Sequence, residues 1–126
     1  MQTIISSLNA EQTVSQLLAA IEQANMRAVA HINGQANAAK MGKQVPADQI
    51  LEVFRPDFAI RVWEACKPAG HDIPLRIHIY EEGEQVKVAC RMPSQVFEPF
   101  DSAALDEIGV ELDQIFDTIL SSVAEA

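Results

Sequence analysis

Two neighbouring stretches of the chain alternate with period two. From Ile73 to Tyr80, the aliphatic residues Ile73, Leu75, Ile77 and Ile79 take every second place between Pro74, Arg76, His78 and Tyr80. From Gln85 to Arg91, Val86, Val88 and Cys90 do the same opposite Lys87, Ala89 and Arg91. Successive strand side chains point to opposite faces, so each stretch is a strand with one dry face and one wet face. Glu81-Glu82-Gly83-Glu84 between them supplies a hairpin turn, with a glycine able to take positive φ. A sheet covered on both faces by helices carries unbroken apolar runs instead. The alternation therefore predicts helices on one face only.

Helical periodicity supplies the covering layer. Asn9 is a candidate N-cap with Gln12 as its capping-box partner, and Val14, Leu17, Leu18 and Ile21 follow at i, i+3, i+4, i+7. Gln35 to Met41 reads as a short helix closed by Gly42. Pro56 and Asp57 suit the first turn of a third helix, with Phe58, Val62 and Ala65 on its inner stripe and Pro68 and Gly70 ending it. A long helix from about Ser102 to Val123 presents Leu105, Ile108, Leu112, Ile115, Phe116, Ile119 and Val123. Gln2–Ser7, Met26–Ile32 and Gln49–Phe54 read as further strands, and Pro93 and Pro99 bracket an irregular stretch. In Met26–Ile32 strict alternation sends Met26, Ala28, Ala30 and Ile32 one way and Arg27, Val29 and His31 the other. The expected architecture is a single α+β domain over residues 1–126. It is a two-layer sandwich with an about five-stranded mixed sheet, helices on one face, and element order β-α-β-α-β-α-β-β-α.

Composition narrows the partners. Nine basic against 18 acidic residues give a net charge of −9, which disfavours nucleic acid and anionic membranes as partners. No apolar run nears the roughly 18 residues of a membrane span, and Met1–Ser7 lacks the basic and apolar regions of a signal peptide. A cytoplasmic location is expected, with the two cysteines, Cys66 and Cys90, as reduced thiols. After Arg91 there is no lysine or arginine, so the last helix shows water an acidic back.

Asn33 to Phe97 and the last helix carry a further pattern: Ala38-Ala39-Lys40-Met41-Gly42, Phe54-Arg55-Pro56-Asp57-Phe58-Ala59, Gly70-His71-Asp72-Ile73-Pro74-Leu75-Arg76, Tyr80-Glu81-Glu82-Gly83, Pro93-Ser94-Gln95-Val96-Phe97 and Glu111-Leu112-Asp113-Gln114-Ile115-Phe116. Together these segments resemble the domain-of-unknown-function 302 family. The resemblance implies a compact α+β domain, often dimeric, of bacterial or archaeal origin, and transfers no mechanism. The chain departs from the family at Gly34, where many relatives carry histidine, and at Phe54-Arg55, where they carry Gly-Asn.

The face of the sheet away from the helices is the candidate site. Alternation assigns it Arg27, Val29, His31, Arg76, His78, Tyr80, Lys87, Ala89 and Arg91, with Ile50, Glu52 and Phe54 beside them. Arg27, Arg76, Lys87 and Arg91 are four of the nine basic residues of an acidic chain. Such a face suits a homodimer seam, a surface plugged by a loop, or a cleft for a small anionic or aromatic ligand, and dimer seams often carry pockets. His31, Arg76, His78, Tyr80 and Arg91 are the candidate ligand-binding residues: arginine forks match carboxylate or phosphate, and tyrosine offers an apolar body with a polar tip. A partner protein is the other ligand class this face could take.

Catalytic and metal signatures are sparse. There is no Gly-x-Ser-x-Gly elbow, no glycine-rich phosphate loop, no Cys-x-x-Cys and no His-x-x-x-His. An enzyme would have to use His31 or His78 as general base and Arg76 as anion clamp. A metal or cofactor carrier would draw on His31, Cys66, His71 and His78; no metal site is expected, and no cofactor is indicated. Cys66, His71 and Asp72 cluster in sequence as a turn would place them by chance. The functional expectation is a non-catalytic, dimeric binding or accessory module for a small anionic ligand or a partner protein.

Overall fold

The computed structural model describes residues 1–125, so the last residue of the expected 1–126 domain lies outside the described residues. Five strands, β1 (Gln2–Ile5), β2 (Arg27–Asn33), β3 (Asp48–Phe54), β4 (Leu75–Glu82) and β5 (Gln85–Cys90), form one sheet in the order β1-β5-β4-β3-β2. Every neighbouring pair runs antiparallel, so the sheet expected to be mixed resolves into antiparallel pairing throughout. Helices α1 (Ala10–Gln23), α3 (Pro56–Ala65) and α5 (Ala103–Ser121) supply the second layer, and the short helix α2 (Gly34–Ala39) lies between β2 and β3 in the chain.

The start of each long helix is fixed locally. The Asn9 side chain accepts the Gln12 N–H at 2.8 Å, and the Gln12 side chain accepts the Asn9 N–H at 3.4 Å. Pro56 opens α3, and Ser102 Oγ caps α5 by accepting the Leu105 N–H at 3.2 Å. Leu17 and Ile21 of α1, Phe58 and Val62 of α3, and Leu105, Leu112, Phe116 and Ile119 of α5 then bury against Leu51, Val53, Leu75, Ile77, Ile79 and Val88 of the sheet. Burying each such side chain is worth about 1.5–3 kcal/mol, so this single seam dominates the fold's stability. The buried polar pair Ser6 and Thr13 is satisfied by an Oγ to Oγ1 hydrogen bond of 2.6 Å, which ties the end of β1 to α1. Outside, Arg61 and Glu111 bridge α3 and α5 at 2.8 Å, and the hydrogen bond holds the Glu111 carboxyl below its usual value.

Three local features depart from the sequence expectation. The stretch between Pro93 and Pro99, expected to be irregular, holds a short helix, α4 (Pro93–Phe97), followed by a 3-10 turn at Glu98–Phe100. Pro93 is the first residue of α4 and Pro99 the second of the 3-10 turn, first-turn positions where a missing N–H forfeits no hydrogen bond. Helix α4 lies hard against α5, because a Cβ on Gly109 would come within 2.9 Å of Ser94 Cα. Another 3-10 turn, Lys67–Asp72, follows α3 and leads through the cis Ile73–Pro74 bond into β4.

The third departure moves a candidate residue. Between Ala28 and Ala30 the β2–β3 register shifts by one residue at Val29, a β-bulge. Beyond it the alternation reverses. His31 pairs with Leu51, whose side chain lies in the core, and Ala30 and Ile32 pair with Glu52 and Ile50 of the opposite face. His31 therefore leaves the face that alternation assigned to it. Its Nε2 lies 2.6 Å from Gln49 Oε1, on the helix side of the sheet edge. Phe54 is also displaced from the wet face: it is buried, with its ring 6.3 Å from that of Phe58.

Candidate functional site

Residues directly opposite one another in an antiparallel pair share a face. Leu51 lies opposite Ile77 and Val53 opposite Leu75, with all four side chains buried beneath the helices. The intervening positions carry the other face: Glu52 opposite Arg76, Ile50 opposite His78, Asp48 opposite Tyr80. On β5, Ala89 continues the His78 row and Lys87 the Tyr80 row. In these rows carboxylates stand on β3 and cationic or imidazole groups on β4 and β5, with Glu82 adding a carboxylate at the far end of β4.

These groups make short bonds within the face. His78 Nε2 lies 2.9 Å from Asp48 Oδ1, and its ring stacks on Tyr80 with centroids 4.6 Å apart and planes 23° from parallel. Lys87 donates to Glu82 at 2.6 Å; the bond lowers the Glu82 carboxyl pKa and raises that of the Lys87 ammonium. Arg76 approaches Glu52 only to 3.9 Å, beyond hydrogen-bonding range, and its side chain is 72 % exposed.

One end of this face is walled into a groove of about 600 Å³. Strands β3, β4 and β5 form its floor through Ile50, Glu52, Arg76, His78 and Ala89. The turn before β4 builds one wall from His71, Asp72, Ile73 and Pro74. Met1, Arg91 and Val96 close the rest, Val96 being carried by α4. Of the five ligand-binding candidates read from sequence, Arg76, His78 and Arg91 meet in this groove. Tyr80 shares the face and stacks on His78 but does not line the groove, and His31 lies on the opposite side.

Neither thiol belongs to it. Cys90 sits inward on β5, and burial pushes its thiol up to about 12, with Asp113 adding to the effect. Among the described residues no three His, Cys, Asp or Glu side chains converge as a metal-ion cage. The sequence cluster Cys66, His71 and Asp72 separates accordingly: His71 and Asp72 line the groove and Cys66 does not.

A family model, "Domain of unknown function DUF302", matches residues 2–123. The chain belongs to the DUF302 family. The crystal structure titled "uncharacterized conserved protein DUF302 from Bacillus stearothermophilus" superposes with a TM-score of 0.88, covering 97 % of this chain and 96 % of that one at 20 % identity. At that identity the likeness concerns the fold. No curated protein matches the chain.

Within this DUF302 domain, two of the groove's polar residues read from sequence as part of a chance cluster with Cys66, not as members of the ligand-binding set. His71 and Asp72 precede the clearest strand, inside the Gly70–Arg76 segment that carries part of the family pattern. Their signal was position: residues just ahead of a strand end up beside that strand's first outward side chains, here Arg76.

Proposed function

We propose that the chain is a non-catalytic, single-domain, cytoplasmic binding module, dimeric in solution, that holds a small anionic ligand in the groove on the helix-free face. The observation that carries this reading is the meeting of Arg76, Arg91, His71 and His78 in one recess of a protein with net charge −9. Guanidinium forks recognise carboxylate and phosphate groups in two-point fashion. Ile50, Ile73, Pro74 and Val96 beside them supply apolar wall for a ligand body. Support for a second copy comes from the edge strand β2, where Val29 and Ile32 are 55 % and 46 % exposed.

Thermal-shift screening against organic acids, nucleotides and phosphates tests the reading, with light scattering on the same samples. A ligand present at 100 times its Kd stabilises by ~2.7 kcal/mol, and Arg91→Gln removes that gain. A flat screen sinks the small-ligand reading and leaves recognition of a partner protein; a monomeric mass sinks the dimer.

A second reading has one specific support. The Asp48 carboxylate at 2.9 Å orients the His78 imidazole, as a general base is oriented, beside Arg76 as anion clamp. Turnover of a bound ligand, seen by NMR and lost in His78→Gln, would replace the binding reading with an enzymatic one.

A further inference from the structure

The groove carries charge of both signs, and the one ion pair between its lining residues, Arg76 with Glu52, is a long one. Among the described residues Asp72 and Arg91 make no ion pair, although both line it. The remaining pair, Arg76 and Glu52, stands 3.9 Å apart, too far for a hydrogen bond. Two guanidinium groups and two carboxylates therefore face one recess with donors and acceptors to spare. Between them runs apolar surface from Ile73, Pro74, Ile50 and Val96.

A purely anionic ligand uses half of this arrangement. It also meets Asp72 and Glu52 at close range, and the field of a chain with net charge −9 at long range. A ligand with zero net charge but separated ends escapes the long-range repulsion and satisfies both signs locally. We infer that the groove takes a small zwitterion with an apolar body, the chemistry of a neutral α-amino acid, its carboxylate on Arg91 and Arg76 and its ammonium on Asp72 and Glu52. The inference rests on the binding reading above and narrows it.

Calorimetry on the full chain separates the two. The probes share one branched body: L-leucine, 4-methylpentanoate, which lacks the ammonium, and 3-methylbutylamine, which lacks the carboxylate. A phenylalanine, 3-phenylpropanoate and 2-phenylethylamine set repeats the comparison with a larger body. Charge-assisted hydrogen bonds at each end make the zwitterion of the fitting set bind at least about tenfold tighter than either truncated probe. Asp72→Asn abolishes the preference over the carboxylate probe, and Arg91→Gln weakens the amino acid and the carboxylate alike. Both side chains lie on the surface, and circular dichroism checks that each variant folds. Carboxylates that bind as tightly as the amino acids overturn the zwitterion and leave the anionic-ligand reading standing. Amines that bind as tightly as the amino acids overturn both, as does the absence of binding by all six probes together with a flat organic-anion screen.

Discussion

Gly109→Ala sets two well-understood effects against each other. Gly109 lies in the interior of α5, where replacing glycine by alanine stabilises a helix by roughly 0.5–1 kcal/mol. The structure predicts the opposite sign. The added methyl would stand 2.9 Å from Ser94 Cα, 3.2 Å from Ser94 N and 3.3 Å from Phe97 Cδ2. Two of those atoms are backbone and cannot swing aside, so α4 must lift. Lifting it strains the 2.9 Å hydrogen bond from the Ser94 N–H to Asp113 Oδ1 and loosens the fully buried Phe97. Overpacking of this kind costs about 1–3 kcal/mol. The helix gain offsets part of that, leaving a net loss of about 1 kcal/mol, or roughly 3–5 °C in Tm for a domain of this size. Urea unfolding of Gly109→Ala measures it, with Val110→Ala at the next, exposed position of the same helix as the propensity control. The expected result is a lower midpoint at unchanged slope for Gly109→Ala and no loss for the control. An unchanged or raised midpoint for Gly109→Ala would refute the close approach of α4 to α5, and with it the rigid seat of Val96 in the groove wall.

Two further predictions follow from side chains whose surroundings are defined. Burial pushes the Cys90 thiol from its ordinary 9.0 up to about 12 in the folded chain, so the folded state keeps its proton after the unfolded state has lost it. Its stabilising share is complete below pH 9.0 and disappears as pH climbs toward 12, on the order of 4 kcal/mol in all; urea midpoints at pH 8 and 10.5 should fall in the native chain and fall less in Cys90→Val. His31→Ala, which removes a side chain bonded to Gln49 away from the groove, leaves ligand-induced thermal shifts unchanged, whereas His78→Ala diminishes them; equal losses in both would put His31 back at the site.

The fold was legible because its strongest signals are periodic. Alternation in Ile73–Tyr80 and Gln85–Arg91 placed the layer boundary, and the 3.6-residue stripes at Val14–Ile21 and Leu105–Val123 placed the cover. Where burial is one-sided, a slip of one residue would turn a whole apolar set into water, so register is strongly specified. Strand β2 lacks that restraint. It lies at the sheet edge with its residues exposed or half-buried on both faces, so Val29 can be accommodated as a bulge at little cost. Strict alternation consequently carried His31 to the wrong side, while Arg76 and His78, on a central strand with a buried face, were placed correctly. Helix α4 was missed for a different reason: at five residues, no apolar period can show itself, and its stability comes from Gly109 and Asp113 across the packing rather than from its own sequence.

The same contrast explains why the groove lies where it does. An antiparallel sheet with helices on one side leaves its other side to water, and a flat, wet face makes a poor recess. Walls are needed, and this chain raises them from the two segments that flank the β4–β5 hairpin. The turn entering β4 delivers His71–Pro74, and the segment leaving β5 delivers Arg91 and then Val96. Both are anchored through the core: Ala69 of the entering turn is fully buried, and α4 is clamped to α5 at Gly109 and Asp113. The groove's charged groups therefore stand on a floor and walls fixed by burial on the opposite side of the sheet. A ligand of the proposed kind would meet a recess that is already formed, so little binding energy would be lost to ordering it. By the same reasoning, loosening α4 changes affinity through the position of Val96 and Arg91 even when every charged side chain is intact.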